Sequence, residues 1–346
     1  MLPEAFIRGL SEELGPDRAR TVLDALSGEP SVSVRLNPAK LTACPFPDAE
    51  RISWSPYGYL LKERPNFTLD PLFHAGCYYV QDSSAMFVGA LFRSALDGFG
   101  PGVTVLDLCA APGGKTTDLA ASLRERFGDR FSLLANEVMR NRFGVLRSNV
   151  RAWGDSRVGV VSRDPSAFSG KPVFDIIVAD VPCSGEGMFR KDEKAVEDWS
   201  PETVDFCAAR SRRILSDVWS ALKPGGVLLY STCTFNRQEN DGTVAWIASE
   251  LGAGVVDGGT SRPSYGRSTA TPCCRASSPA RVSTPPSSAS MERRKASVPP
   301  MSSPFSRPTC PSRRRTRIPA STWTGKPPSG ISTAMPSASR MPPWGS

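Results

Sequence analysis

The sequence has only one histidine, His74, among its 346 residues. A Ser-His-Asp triad or a histidine-based metal site is therefore disfavoured. No uninterrupted apolar run approaches the ~18 residues of a membrane-spanning helix, and Glu4 and Arg8 stand where a signal peptide would be apolar. The nine cysteines lack paired spacing, which favours a reducing compartment over a disulfide scaffold. We therefore expect a cytoplasmic protein with no membrane anchor and no metal.

Leucine is absent from residues 259–346, as are Asp, Asn, Gln and His, although this tail holds half of the 32 prolines. Since leucine is among the commonest residues of folded domains, we predict a disordered tail without an ordinary core. The tail carries a net charge of +13 and the rest of the chain −5. Three origins remain open: a basic Ser/Pro/Arg tail, an arm that binds phosphates through residues 313–317, and an out-of-frame translation, which we favour.

The first 95 residues predict a small α+β domain. Apolar residues at helical spacing occur over residues 4–27, with a turn at Gly15-Pro16. Alternation predicts a strand at residues 31–36, and residues 83–92 resemble a helix. The prolines and aromatics of residues 45–73 indicate a compact, irregular segment. A Gly-rich loop then marks a domain boundary near residue 96.

Short apolar strands alternate with helices in the next part of the chain. This alternation favours a parallel, doubly wound sheet whose site lies at the carboxyl ends of the strands. We predict strands at residues 103–108, 131–136, 158–161, 174–179 and 226–231, and helices from residue 116, at 139–150 and at 203–222.

A glycine-rich turn, DLCAAPGGKT at residues 107–116, follows the first of these strands. Gly113 and Gly114 allow a ligand to approach the backbone just before a helix begins. Glu137 ends the next strand, 23 residues beyond Gly114. An acid at that place can accept both hydroxyls of a ribose. The pattern therefore predicts a cofactor that contains a nucleoside.

Two cofactor classes compete for this turn. Residues 109–116 nearly match the phosphate loop G-x-x-x-x-G-K-[ST], which would indicate a nucleotide-hydrolysing ATPase. However, Cys109 replaces the first glycine, and Pro112 lacks an N–H that would cradle phosphate. S-adenosylmethionine (SAM) fits better, because it needs a close turn and a ribose acid but no phosphate cage.

Two cysteines follow two further strands of the predicted sheet. Cys183 lies in ADVPCSGEGM and Cys233 in STCTFN. Because the carboxyl ends of parallel strands meet at one edge, both thiols should face the cleft of Gly113. A lone cysteine is more often a small buried apolar residue, but two at strand ends favour catalysis.

The blocks LDLCAAPGGKTTDLA, ADVPCSGEGMFRK and LKPGGVLLYSTCTFNRQEN resemble the Nop/Sun family of RNA cytosine-C5 methyltransferases. The stretches SVRLNP and FTLDPLFHAGCYYVQDSSAM resemble its bacterial branch, which modifies small-subunit ribosomal RNA. The resemblance covers residues 1–258. It implies a Rossmann-like SAM-dependent methyltransferase sheet at residues 96–258 and a smaller RNA-binding α+β domain at 1–95. Since the tail replaces the end of the family's domain, we expect the last strands to be missing and an edge beside the Cys233 strand to be exposed.

The resemblance also implies site residues. Cys233 would add to C6 of cytosine and make C5 nucleophilic towards the methyl group, and Cys183 would help to remove the C5 proton. Asp180 would bind the exocyclic amine and N3, and the target base would be flipped or single-stranded. The cofactor pocket would comprise Cys109, Ala110, Ala111, Pro112, Gly113, Gly114, Lys115, Glu137, Asp164 near the adenine, and Asp180.

The predicted function is SAM-dependent methylation of cytosine C5 in RNA by a monomer. The substrate would be ribosomal RNA, free or in the small ribosomal subunit. The alternatives are the ATPase and a catalytically inactive RNA-binding assembly factor, which the unusual C-terminus makes plausible.

Overall fold

The computed structural model describes residues 1–256 and 280–283. The chain begins with two helices, α1 (Glu4–Leu14) and α2 (Pro16–Leu26). Gly15 between them has a φ of 78°, and Pro16 opens α2 because its missing N–H is not needed in a first turn. The prediction of a helical pair broken at Gly15-Pro16 is confirmed.

An antiparallel sheet of four strands follows, in the order β2-β3-β1-β4. The prediction that residues 45–73 are irregular is partly wrong, because β2 and β3 lie there. β3 forms by pairing with β1, with Val34 opposite Tyr59, and such a distant partner leaves no local signal. The elements of this part are β1 (Val32–Leu36), β2 (Glu50–Arg51), β3 (Gly58–Leu61), α3 (Pro71–His74), β4 (Tyr78–Val80) and α4 (Phe87–Leu96).

A seven-stranded sheet forms the larger part of the molecule, in the order β10-β11-β9-β8-β5-β6-β7. The five strands from β9 to β7 are parallel, which confirms the predicted α/β doubly wound sheet. Its strands are β5 (Val103–Asp107), β6 (Phe131–Asn136), β7 (Val158–Val161), β8 (Phe174–Asp180), β9 (Leu222–Ser231), β10 (Gly254–Val256) and β11 (Ala280–Ser283). Its helices are α5 (Gly114–Phe127), α6 (Arg140–Trp153), α7 (Glu193–Glu197), α8 (Pro201–Trp219) and α9 (Asp241–Glu250).

The edge of the sheet beside β9 differs from the sequence prediction. β11 pairs antiparallel with β9, with Ala280 opposite Tyr230, and β10 pairs with β11. The expected exposed edge is therefore wrong, because four residues of the leucine-free tail satisfy the backbone groups of β9. Those four residues are also ordered as a strand. The other predictions for residues 259–346 lie outside the described residues.

The central strands are buried on both faces, as parallel strands between helices must be. Val105, Ile176 and Leu229 pack into a core with α4 and α5. Leu106, Ile177 and Leu228 point to the other face, where they pack with α8. Burying each such side chain contributes roughly 1.5–3 kcal/mol, so the sheet is a rigid base for its carboxyl edge.

Residues 33–40, which begin with the SVRLNP block, join the small sheet to the large one. Asn37 donates from Nδ2 to the carbonyl of Trp153 at 2.9 Å, and Lys40 donates from Nζ to the carbonyl of Ala152 at 2.5 Å. These carbonyls end α6 and have no partner within their helix. The small sheet therefore caps a helix of the large one. None of the helices in residues 1–256 combines the length and apolar character needed to cross a bilayer.

Candidate active site

The glycine turn, residues 109–115, connects β5 to α5. Gly113 has a φ of 109°, in the left-handed region that favours glycine. A Cβ on Gly113 would lie 3.2 Å from Cδ1 of Leu146, so α6 also packs tightly against the turn. The turn thus follows a buried strand and opens directly onto the N-terminus of α5.

Donor side chains hold this turn through its carbonyl oxygens. Arg142 donates from Nη2 to the carbonyl of Ala111 at 2.6 Å, and Asn149 donates to that of Pro112 at 2.8 Å. Arg35 donates from Nη2 to the carbonyl of Gly114 at 2.9 Å. Three carbonyl oxygens of the turn are therefore satisfied by side-chain donors, which fix the conformation of the turn.

Arg35 comes from the small sheet and is completely buried. It also donates to Oε1 of Gln81 at 2.8 Å and to Oγ1 of Thr117 at 2.5 Å, and it lies over the ring of Trp153. Burial lowers its pKa, against the opposing charge of Asp118. Sequence reasoning missed this residue, and its place in the SVRLNP block was the available signal.

Glu137 lies at the end of β6, where a ribose acid was predicted. It is 3% exposed, and its Oε1 accepts a hydrogen bond from the backbone N–H of Met139. Its Oε2 has no hydrogen-bond partner among the described residues, although Arg142 lies 3.6 Å from it. A buried carboxylate oxygen without a donor fits a ligand hydroxyl, as the ribose of SAM would supply.

Asp164 and Cys109 are two further residues of the predicted cofactor pocket. Oδ1 of Asp164 accepts from the N–H and hydroxyl of Ser166, and these hydrogen bonds lower the pKa of Asp164. The carboxylate is therefore charged near neutral pH and lies just beyond β7. Burial raises the pKa of Cys109, so its thiol is neutral, and Ala110 donates its N–H to the carbonyl of Asn136.

Asp180 ends β8 and forms an ion pair with Lys115 of the glycine turn. The Lys115 Nζ lies 2.6 Å from Oδ2 of Asp180, and Ser231 donates to Oδ1 at 2.7 Å. Burial alone would lower the pKa of Lys115, but Asp180 and Cys233 outweigh it and raise the pKa. Lys115 is therefore a fixed cation between the turn and the cysteines.

The two cysteines predicted from the sequence lie in direct contact. Their Sγ atoms are 3.1 Å apart, and the N–H of Cys233 donates to Sγ of Cys183 at 3.2 Å. The hydrogen bond from Cys183 lowers the pKa of Cys233, and the same bond raises that of Cys183 well above its usual value. Cys233, which is the more exposed, is therefore the thiol of the pair that ionises more readily.

Two buried glutamates connect the cysteine loops, residues 181–188 and 232–240. Oε2 of Glu186 accepts from the N–H groups of Phe235 and Asn236 at 2.6 and 3.0 Å. Glu239 reaches the opposite way and accepts from the N–H of Ser184 at 3.0 Å. We call these two residues the carboxylate clamp. Sequence reasoning missed it, and only the position of the acids within the two cysteine motifs indicated it.

A backbone hydrogen bond closes the same junction. Gly187 donates its N–H to the carbonyl of Cys233 at 2.8 Å. A Cβ on Gly187 would lie 2.9 Å from that oxygen, so the close approach needs glycine. Together with the carboxylate clamp, this contact sets the distance between the two thiols.

Asp107, the last residue of β5, is a further buried acid beneath the site. Burial raises its pKa to about 7, although the hydrogen bond from Thr116 lowers it. Thr116 donates to Oδ2 at 2.6 Å, and Oδ1 has no partner within the described residues. Asp107 is the first residue of the motif DLCAAPGGKT, but the sequence alone predicted no role for it.

A glycine turn follows one strand of a parallel sheet, an acid follows the next strand, and two cysteines lie at the same carboxyl edge. This is the architecture of a Rossmann-like SAM-dependent methyltransferase. Residues 99–251 match the family model of the 16S rRNA methyltransferase RsmB/F, and residues 2–83 match that of the N-terminal domain of 16S rRNA methyltransferase RsmF. The two matches cover more than half of the chain, which therefore belongs to the RsmB/F methyltransferase family. The Nop/Sun resemblance, its bacterial branch and the choice of SAM over a phosphate-loop nucleotide are confirmed.

Curated relatives support this assignment. A ribosomal RNA small subunit methyltransferase F from Escherichia coli O7:K1 is 38% identical over 234 residues, which are 62% of this chain and 46% of that protein. The protein of the same name from Cronobacter sakazakii is 36% identical over 263 residues, 71% of this chain and 53% of the relative. The chain thus spans about half the length of the curated relatives it matches.

Solved structures share the fold. A methyltransferase homologue from Pyrococcus horikoshii has a TM-score of 0.64 at 24% identity and covers 82% of this chain and 95% of its own. NSun6 from Pyrococcus horikoshii has a TM-score of 0.65 at 16% identity, with 81% and 97% covered. Both likenesses extend over about four-fifths of this chain.

Proposed function

We propose that this chain methylates C5 of cytosine in RNA, with SAM as methyl donor and Cys233 as nucleophile. The observation that carries the proposal is the contact between Cys233 and Cys183, together with the lowered pKa of Cys233. Cytosine C5 is a poor nucleophile, so a thiolate must first add to C6. A thiolate held beside a second thiol at the edge that carries the glycine turn suits this chemistry.

SAM, held by the glycine turn with its ribose on Glu137 and its adenine near Asp164, would supply the methyl group. The fit rests on Oε2 of Glu137, which lacks a donor among the described residues. Residues 109–115 would line the amino-acid end. The side-chain hydrogen bonds that fix the conformation of the turn favour this placement.

The chain's own residues would then act in sequence on the base. The sulfur of Cys233 bonds to C6, and the C5–C6 π electrons move to C5, which takes the methyl group. Asp180 would bind the exocyclic amine and N3 of the ring. Its contacts with Lys115 and Ser231 fix the orientation of its carboxylate. Elimination finally removes the C5 proton and returns the electron pair of the C6–S bond to Cys233.

Cys183 would serve as the base for that proton. In the resting protein the hydrogen bond with Cys233, burial and the charge of Cys233 together raise the pKa of Cys183. Formation of the C6–S bond removes this charge, so the pKa of Cys183 falls once the adduct exists and the thiol can release its proton to water. The interaction of the two thiols would thus let Cys183 act as a base only after the adduct has formed.

We extend the proposal to organisation and partners. Residues 1–95 would bind RNA, residues 96–258 would carry the reaction, and ribosomal RNA of the small subunit, free or assembled, would be the substrate of a cytoplasmic monomer. The family assignment and the buried contact of Arg35 with the glycine turn support a joint action of both parts.

The test is transfer of labelled methyl from SAM to small-subunit ribosomal RNA, followed by digestion to nucleosides. We expect label in 5-methylcytidine. Cys233→Ala should abolish it, whereas Cys183→Ala should accumulate a protein–RNA adduct on a denaturing gel. Cys44→Ala, which removes a half-buried thiol of the small sheet, is the matched control. Label in another nucleoside, or an active Cys233→Ala, contradicts the proposal; SAM binding without transfer would favour an inactive assembly factor.

A further inference from the structure

We propose that Cys183 and Cys233 form a reversible oxidation site, in which a peroxide oxidises Cys233 and Cys183 resolves the product to a disulfide. This chemistry goes beyond methyl transfer and needs neither SAM nor RNA. Its consequence for activity alone rests on the proposed function. The site follows from how the two cysteine loops are held.

The distance between the sulfurs already approaches that of a bond. The Sγ atoms lie 3.1 Å apart, and a disulfide requires about 2.05 Å. The remaining ~1 Å is a small side-chain movement by comparison with the loop or domain shifts that most separated cysteines would need. The N–H of Cys233, which donates to Sγ of Cys183, also holds the resolving sulfur in place.

The carboxylate clamp makes this proximity a fixed property of the free protein. Glu186 binds backbone N–H groups of the Cys233 loop, and Glu239 binds the N–H and hydroxyl of Ser184 beside Cys183. Gly187 adds its hydrogen bond to the carbonyl of Cys233. Because each loop supplies side chains or N–H groups that bind the other loop, the two thiols remain adjacent in the protein without RNA.

The two cysteines differ in the way that attacking and resolving thiols differ. Cys233 is exposed, whereas Cys183 is half-buried, so a dissolved peroxide meets Cys233 first. The lowered pKa of Cys233 increases its thiolate fraction, and peroxides react with thiolates. The fixed cation Lys115 lies close enough to favour that charge. Cys77 and Cys207, by contrast, are buried.

The oxidation balances with hydrogen peroxide as the oxidant. The thiolate of Cys233 attacks one peroxide oxygen, the O–O bond breaks, and Cys233 becomes a sulfenic acid as hydroxide leaves. Cys183 then attacks the Cys233 sulfur, its proton and the sulfenic hydroxyl leave as water, and the S–S bond forms. Two thiols have lost two hydrogens, and peroxide has become two waters. A small dithiol reverses the step by exchange and is itself oxidised.

Peptide mapping of the full chain tests the site. Trypsin releases residues 164–190, which contain Cys183, and residues 214–237, which contain Cys233, and each peptide has a single cysteine. After brief peroxide treatment and thiol blocking, we expect these two peptides joined by a disulfide, and separate again after dithiothreitol. Free peptides, or Cys233 joined mainly to another cysteine, would overturn the proposal.

Two variants separate the steps. In Cys183→Ala the sulfenic acid on Cys233 should persist and be captured by dimedone, and in the unmodified chain that capture should be largely lost. Cys44→Ser, the control, should behave like the unmodified chain. Equal dimedone capture with and without Cys183 would overturn its resolving role. Since the mapping requires no methyl transfer, its outcome is independent of whether the proposed function holds.

Activity gives a further readout. If the proposed function holds, the oxidised chain should lose methyl transfer and recover it with dithiothreitol, while its SAM affinity is retained. Irreversible loss that tracks sulfinic acid on Cys233, without a disulfide, would contradict the resolving step.

Discussion

The glycine turn and the cysteine loops lie at the same edge of one sheet, but they are held by opposite chemistry. Arginines and an amide donate to the carbonyl oxygens of the turn, whereas two carboxylates accept from the N–H groups of the loops. One of the turn's supports, Arg35, comes from the small sheet, while the carboxylate clamp is internal to the large one. The N-terminal part nevertheless supports both sides, since Glu13 of α1 accepts from the N–H of Arg237 in the Cys233 loop and Phe6 packs in one cluster with Phe235. The difference therefore lies in the chemistry of the contacts and not in which part of the chain supplies them.

Arg35→Met should have the largest effect, since it removes donors to Gly114, Thr117 and Gln81. It also removes one of the two arginines beside the buried Asp118 and leaves Arg93, at 3.5 Å. We expect the free energy of unfolding to fall by about 3–5 kcal/mol and SAM binding to weaken. Urea titration and calorimetry measure both. Arg147→Met, an exposed change on α6, is the control, and equal stability of the two variants would contradict the role of Arg35.

Glu186→Gln sharpens the comparison, because it weakens the carboxylate clamp and leaves the turn unchanged. Losing charge-assisted hydrogen bonds to two N–H groups should cost roughly 1.5–3 kcal/mol, and the misplaced Cys233 should lower kcat by about 10- to 100-fold without changing the affinity for SAM. Arg142→Met should do the reverse, raising the Kd for SAM about tenfold at constant kcat. Steady-state kinetics and equilibrium binding measure these constants. If both variants changed both kcat and the Kd for SAM, the separate roles of the clamp and the turn would be refuted.

Asp107→Asn tests the sheet beneath the glycine turn and the cysteine loops. Of the variants, it should disturb the site least and should act on the pH dependence of stability. Because the pKa of Asp107 is raised to about 7 in the folded chain, its stabilising contribution is complete below the unfolded value near 4 and is lost as pH rises towards 7. Asn keeps an acceptor for Thr116 without a titrating charge. We expect the variant to gain roughly 2–3 kcal/mol over the parent from pH 5 to pH 8. Parallel stability curves measured at several pH values would contradict this.

The sequence predicted those parts of the fold that depend on short-range patterns. The strands at residues 131–136 and 158–161 were located to the residue, and the helix predicted at 203–222 is α8, Pro201–Trp219. β3 and β11 escaped prediction, since each exists only by pairing with a distant strand. Apolar periodicity reports burial along one element and says nothing about the partner that completes it.

The same limit applies to the site. Glycines, Glu137 and both cysteines could be found because each stands at the end of a recognisable strand. Arg35 could not, since its contact with Gly114 joins residues 79 positions apart. Glu186 and Glu239 lie within the motifs, but that they bind each other's loops depends on how β8 and β9 align. The residues that react were predictable, and those that position them required the tertiary structure.

The cap that Asn37 and Lys40 place on α6 has a consequence for the chain as a whole. The sequence predicts a boundary near residue 96, yet the last turn of α6, which lies beyond it, takes hydrogen-bond partners from residues before it. We therefore expect exchange of the N-terminal part between related proteins to be tolerated better when α6 is exchanged with it. In recombination and in protein engineering, the small sheet and this helix should therefore be transferred together.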